Sequence, residues 1–304
     1  LNTSENRLRS GWRILLFLFL FWSLSITVLL VKPLFGEITK REFLTYYSPV
    51  IVGILGLVAT VSVFLARRYL DKRSFISLGL GGGARALRDS LFGFGLSGAM
   101  AGTFLLMTLG LGLVEIRSVG TVFEDTQGSL NTYGPLMQSL GWGALGILFL
   151  EHTLVGYWEE LVFRGYLFRN MTEGMGLGLS IAISCALYGL IHATNPNAGL
   201  LSTGIIVLFG FLRIYGLLLT RFLWLSIGMH IGWNFFQGPV FGFGASGHQK
   251  PSLMVLNLTG PDYLSGGAFG PEGSVLIVPV LILALLSMRW WAGRESKASS
   301  ISLA

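Results

Sequence analysis

Apolar runs long enough to cross a bilayer alternate with short polar connections along most of this chain. A spanning helix needs roughly 20 predominantly apolar residues, and runs of that kind fall near 12–31, 47–66, 91–113, 137–157, 177–194, 199–219, 221–240 and 274–292. In lipid the backbone must satisfy its own hydrogen bonds, which favours helices over isolated strands. The pattern therefore predicts an all-α polytopic integral membrane bundle of about eight transmembrane helices. Three regions follow: 1–136 with the N-terminal helices and a basic loop, 137–240 where polar residues enter the apolar runs, and 241–304 with a Gly/Pro-rich connection and a last helix.

Composition agrees, because 52% of the 304 residues are hydrophobic and 12% are charged, about half the charge of a soluble domain. The net charge of +6 does not indicate nucleic-acid binding, since the basic residues sit mostly between spans. Arg7, Arg9 and Arg13 precede the first span, Arg67, Arg68, Lys72, Arg73, Arg85 and Arg88 crowd one loop, and Arg289, Arg294 and Lys297 end the last. By the positive-inside rule these regions face the cytoplasm. Eight spans with both termini inside satisfy that placement, and the connections at 32–46, 114–136 and 241–273 fall on the other side. The first run lacks a small-x-small site before Lys32 and Pro33 and reads as a retained helix. Cys185 is the single cysteine, so it forms no intrachain disulfide and reads as a small buried thiol.

Glycine is abundant, with 42 residues, and in lipid small residues line close helix contacts. The run Gly79–Gly83 lacks the strand–turn–helix context of a nucleotide site and reads as a loop. Residues 241–273 are dense in Gly and Pro, which disfavours helix and strand. That segment reads as the longest structureless connection, with Leu253, Met254, Leu256, Tyr263 and Phe269 packing it against the membrane face as a cover or linker.

The chemistry lies in three i,i+4 pairs inside apolar stretches: Glu160 with Arg164, preceded by Glu159; Tyr188 with His192; and His230 with Asn234. Ionisable groups in hydrocarbon cost several kcal/mol, roughly 2.5–3.5 on insertion scales, and usually line a working cavity. Residues four apart share a helix face, so Arg164 is expected to neutralise Glu160 and leave Glu159 for the pocket. Glu159 and His192 are equidistant from the turn around Gly176. An antiparallel hairpin would set both roughly 20 Å from that turn. This suggests that Glu159 and His192 activate water for peptide hydrolysis, with His230 and Asn234 donating to the oxyanion. Tyr188 and His152 read as supporting residues. His248 reads as solvated, and Arg213 and Arg221 as snorkelling or pocket-edge charges.

Taken together, EELVFR at 159–164, YGLIH at 188–192 and HIGWN at 230–234 resemble, in order, the EExxxR, F/YxxxH and HxxxN motifs of the CPBP family of CaaX prenyl endopeptidases, bacteriocin-processing and abortive-infection proteins. The resemblance covers about 137–240. It implies a helical intramembrane endopeptidase with a catalytic core there, Glu159 as the key acid/base, Glu160 and Arg164 in support, His192 on the water, and His230 and Asn234 on the oxyanion. It also implies membrane lipid and a peptide or protein substrate as partners, and a bacterial plasma membrane as the location.

Other intramembrane protease signatures fit less well. HExxH and GxGD are absent, Glu151-His152 lacks the first histidine of an inverted zincin because Leu148 stands there, and the GxSG matches at 95–98 and 244–247 are expected by chance in so glycine-rich a chain. Two histidines and a glutamate could hold zinc, but Asn234 is a poor zinc ligand, so the preferred reading has no metal and no cofactor. The alternative to an enzyme is a bacteriocin-immunity or scaffold protein that retains the polar core. A transporter would show an inverted repeat, and none is evident.

Overall fold

The computed structural model describes residues 6–26, 48–120 and 142–301. The connection expected at 32–46, residues 121–136 of the one expected at 114–136, the end of the first run, the start of the fourth and the side chain of Lys297 lie outside the described residues. Among the described residues ten α-helices run in the order α1 Ser10–Ser25, α2 Ser48–Leu65, α3 Ala84–Gly110, α4 Trp142–Glu160, α5 Phe168–Met175, α6 Leu177–His192, α7 Leu200–Thr220, α8 Trp224–Phe235, α9 Asp262–Ser265 and α10 Ile277–Ile301. Three of them are extended by π-helical segments: α2 by Ala66–Leu70, α4 by Leu161–Leu167 and α8 by Phe236–Val240.

The membrane bundle is helical as expected, and a helix occupies each of the eight anticipated positions. The count of full spans is corrected. Among the described residues, four helices are long and apolar enough to cross a membrane: Pro49–Leu70, Ala84–Gly110, Leu200–Thr220 and Ile277–Arg294. The physical reasons are local. Helices α1 and α6 have 16 residues each, about 24 Å at the α-helical rise, against a hydrocarbon core of roughly 30 Å. Helix α4 carries Glu151, His152, Glu159 and Glu160, and α8 stops after 12 residues before a π-helical segment that contains Pro239.

The bundle is also not purely α. Strand β1 (Val114–Val119) pairs antiparallel with β2 (Met254–Leu258), with a bulge between Ile116 and Ser118. Strand β2 lies inside the segment expected to be structureless, and that expectation is corrected too. The segment is packed: Phe243, Val255, Leu256, Phe269, Pro271 and Glu272 are buried. Its apolar residues supply a core contact that outweighs the low propensity of its glycines, and pairing with β1 satisfies its backbone.

Two ends of the bundle differ in chemistry. At one, Asp71 accepts hydrogen bonds from Arg13 at 2.7 Å and Arg67 at 2.6 Å, and Glu173 pairs with Arg13 at 2.7 Å, Arg73 at 2.8 Å and Arg7 at 3.0 Å. Four of the basic residues expected on the cytoplasmic side, Arg7, Arg13, Arg67 and Arg73, gather there. At the other end, β1, β2 and the 241–276 segment cover the helices, and Lys250 donates to Glu151 at 2.7 Å.

Glycine sets the closest helix approach. A Cβ at Gly228 on α8 would lie 2.1 Å from the Ser90 carbonyl oxygen on α3, so only glycine permits that contact. Small residues at such seams let dispersion and backbone contacts hold helices where lipid removes the hydrophobic drive. At Gly156 on α4 the same construction meets Ile231 of α8, at 2.7 Å from its side chain and 3.0 Å from its nitrogen. This second seam lies one helical turn from Glu159 and Glu160, and it brings α4 against the helix that carries His230.

Candidate active site

Glu159 and Glu160 end α4 at the point where the π-helical segment begins, and His230 on α8 stands between them. His230 Nδ1–H donates to Glu160 Oε1 at 3.0 Å, and His230 Nε2 faces Glu159 Oε2 at 3.8 Å. A carboxylate on Nδ1 holds a hydrogen there, and Nε2 is the ring nitrogen turned towards Glu159. Glu160 is a hub. Its Oε1 also receives Arg164 Nη1 at 3.2 Å and lies 3.7 Å from Arg213 Nε. Glu160 is fully buried, whereas the Glu159 side chain keeps 15% of its surface exposed. The i,i+4 spacing thus pairs Glu160 with Arg164 and leaves Glu159 towards open space.

Tyr188 connects the parts. Its hydroxyl donates to Glu159 Oε2 at 3.1 Å and accepts Arg213 Nη1 at 2.5 Å, while the Arg164 guanidinium lies 4.1 Å from the Tyr188 ring centroid. Charge is closely balanced, with Glu159 and Glu160 facing Arg164 and Arg213 around a histidine. Opposite charges that pair and hydrogen-bond are the arrangement in which burial in low dielectric is tolerated.

His192 stands at a different level from the one its spacing suggests. Its Nδ1–H donates to the Tyr188 carbonyl at 2.8 Å and its ring lies 4.5 Å from that of Tyr188, while the residue of α6 that meets Glu159 is Tyr188, one turn earlier. The π-helical segment Leu161–Leu167 explains the offset. Its i→i+5 bonds wind more residues into each turn than an α-helix, so the chain advances less along the axis between Glu159 and the turn at Gly176. Glu159 therefore sits nearer that turn than an α-helical count gives.

Asn234 is half-buried one turn beyond His230. His152 is buried, and among the described residues neither of its ring nitrogens has a hydrogen-bond partner, nor does either amide atom of buried Gln237. Lys250, Glu151 and His230 are the charged or titratable groups that face His152. Cys185 is buried, with its backbone close to Gly210, and His248 is exposed. Among the described residues no three His, Cys, Asp or Glu side chains converge as a metal site. Both imidazoles commit Nδ1 to an oxygen.

Residues 141–236 match the family model described as Rce1-like, type II CAAX prenyl endopeptidase Rce1-like. This segment holds all three of the motifs whose order and spacing resemble the CPBP family. It spans about a third of the chain and contains Glu159, Glu160, Arg164, Tyr188, His192, Arg213, His230 and Asn234. No curated protein and no solved structure matches the chain.

Within the Rce1-like segment, Arg213 is the residue that sequence reasoning misplaced. It is 3% exposed and holds both Tyr188 and Glu160, so it neither snorkels nor stands at a pocket edge. The signal was available: Arg213 is seven residues from the end of α7, too deep for the side chain to reach the surface easily. Beyond the segment, Glu272 accepts Trp233 Nε1 at 2.8 Å and Ser246 Oγ at 2.6 Å. That contact ties the long connection to α8, and no spacing in the sequence pointed to it.

Proposed function

We propose that this protein is a CaaX-protease-like intramembrane endopeptidase of a bacterial-type plasma membrane, which hydrolyses a peptide bond with a water held between Glu159 and His230. The observation that carries the reading is the inequality of the two adjacent carboxylates. Glu160 is spent on Arg164, His230 and Arg213, whereas Glu159 retains exposure and faces His230 Nε2.

Glu159 takes a proton from the water as its oxygen adds to the peptide carbonyl carbon. The carbonyl oxygen becomes an oxyanion, and Asn234 donates to it from one turn beyond His230. The C–N bond then breaks and the Glu159 carboxyl returns the proton to the leaving amine. Tyr188, held by Arg213, orients Glu159. His192 keeps Nε2 available one turn further along α6 as a second base at the mouth of the site. A general base of this kind contributes roughly 10²–10⁴-fold, and one oxyanion donor about 10²–10³ in kcat.

No step is routed through a metal. Preincubation of the purified enzyme with a zinc chelator should leave turnover unchanged. Activity lost to chelator and restored by stoichiometric zinc would overturn that element. The central test compares peptide termini in membranes carrying wild type or Glu159→Gln, together with peptide cleavage by the two purified proteins. A Glu159→Gln variant that is folded and cleaves at the wild-type rate would refute the assignment.

A further inference from the structure

At the basic end of the bundle, away from Glu159, a cleft of about 520 Å³ opens between the α5–α6 turn, the end of α7 and the π-helical extension of α2. Arg67, Arg73, Arg169 and Arg221 line it, with Leu177 and Leu217 among its apolar walls. Its acid, Glu173, is already held by Arg13, Arg73 and Arg7, and Arg67 is held by buried Asp71. Arg169 donates Nε to the Leu78 carbonyl at 3.0 Å. Among the described residues neither Arg169 nor Arg221 pairs with a carboxylate. Burial, followed by the like charges of Arg67 and Arg221, pushes the Arg169 guanidinium down from its ordinary value. The cleft thus presents uncompensated positive charge beside an apolar wall, and Leu177 is exposed on that side.

We propose that this cleft binds the phosphate-bearing headgroup of an anionic phospholipid, with Arg169 and Arg221 on the phosphate and the acyl chains running along Leu177 and Leu217. A planar guanidinium fork matches phosphate oxygens. Basic pockets between helices on the cytoplasmic side are suited to anionic headgroups, whereas a lone surface arginine offers only diffuse attraction. The site is separate from the peptide-cleaving centre and does not rest on that assignment.

The test is lipid retention by the full chain in detergent, read by native mass spectrometry after titration with phosphatidylglycerol, phosphatidylcholine of matched acyl chains, or inorganic phosphate. Wild type should retain phosphatidylglycerol over phosphatidylcholine, and inorganic phosphate should displace it weakly. Arg169→Gln/Arg221→Gln should lower retention roughly tenfold or more, as two arginines near a headgroup are lost. Arg221→Gln alone removes an exposed side chain, so its weaker retention is readable even if the double variant unfolds. Arg68→Gln/Arg294→Gln removes equal charge elsewhere and should retain lipid normally. Three results overturn the proposal: equal retention of both lipids by wild type, equal loss in the control pair, or binding of inorganic phosphate with no preference for the lipid. The last would assign the cleft to a soluble phosphate.

Discussion

Replacing Glu160 by Gln separates the support of the site from its chemistry. The substitution keeps the shape and removes a charge that Arg164, His230 and Arg213 approach within 3.2, 3.0 and 3.7 Å. Arg164 is 1% exposed and Arg213 3%, so neither guanidinium can recover hydration by a small movement. Breaking a buried pair strands its partner at a cost of roughly 3–5 kcal/mol. Part of the Arg213 interaction persists through Tyr188, which places Glu160→Gln near the lower figure, about 3 kcal/mol. At about 2–4 °C per kcal/mol for a chain of this size class, the melting temperature should fall by roughly 6–12 °C. His230 also loses the carboxylate that fixes its tautomer, so kcat should fall as well. Glu159→Gln is the contrast: its side chain keeps 15% exposure and bears none of the close arginine contacts, so it should abolish cleavage with a shift of no more than about 2 °C. Thermal unfolding in detergent by intrinsic tryptophan fluorescence, beside single-turnover cleavage, reads both effects. Equal melting temperatures for Glu160→Gln and wild type would refute the hub, and a larger stability loss in Glu159→Gln would reverse the two roles.

Tyr188→Phe removes the hydroxyl between Arg213 and Glu159; the stranded donor should cost about 1–3 kcal/mol of stability, and the released carboxylate should lower kcat roughly ten- to a hundredfold with KM little changed. Unchanged kcat would remove Tyr188 from the positioning role. Gly156→Ala places a methyl against Ile231 and should cost about 1–3 kcal/mol by overpacking, with lower turnover because α4 moves off the helix of His230; wild-type turnover would show that the seam does not set the Glu159–His230 separation. Burial pushes the Glu173 carboxyl up, but Arg13, Arg73 and Arg7 outweigh it and hold it below its ordinary value. A depressed carboxylate stabilises the folded state above the ordinary carboxylate range and loses that contribution as pH falls through the folded value. Wild type should therefore melt above Glu173→Gln near neutrality, and the gap should close on acidification; a gap constant from about pH 7 to pH 3 would remove the linkage.

The helical positions were legible because apolar runs of bilayer length have few alternatives. Their lengths were not, since hydropathy does not register where α8 yields to a π-helical segment at Phe236 or where α4 does so at Leu161. That second transition also separates the expected partner of Glu159 from the observed one. A count of residues from the Gly176 turn assumes one rise per residue, and the wider winding of Leu161–Leu167 moves the contact from His192 to Tyr188. The Glu160–Arg164 pair survived the transition because both groups lie within one turn of its start. The pairing of β1 with β2 was invisible for a different reason. It joins residues 140 or so apart in sequence, and the glycine density of 241–273 hides a short apolar run that forms a strand only once its partner is present.

Arg213 shows what the polar inventory of a membrane helix contains that pairwise spacing does not. The three motifs alone supply two carboxylates and a single arginine to the site, a net negative set that hydrocarbon would drive towards protonation. Arg213, from a helix outside those motifs, makes the count even and donates to the Tyr188 hydroxyl that touches Glu159. With the second arginine in place, Glu160 is held by Arg164, Arg213 and His230, and Glu159 is left with the more open position. A site of this kind needs charge balance across α4, α6, α7 and α8 before it needs any particular nucleophile. The identity of the balancing residue is therefore a tertiary property, readable in the sequence only as an arginine too deep in its helix to reach water.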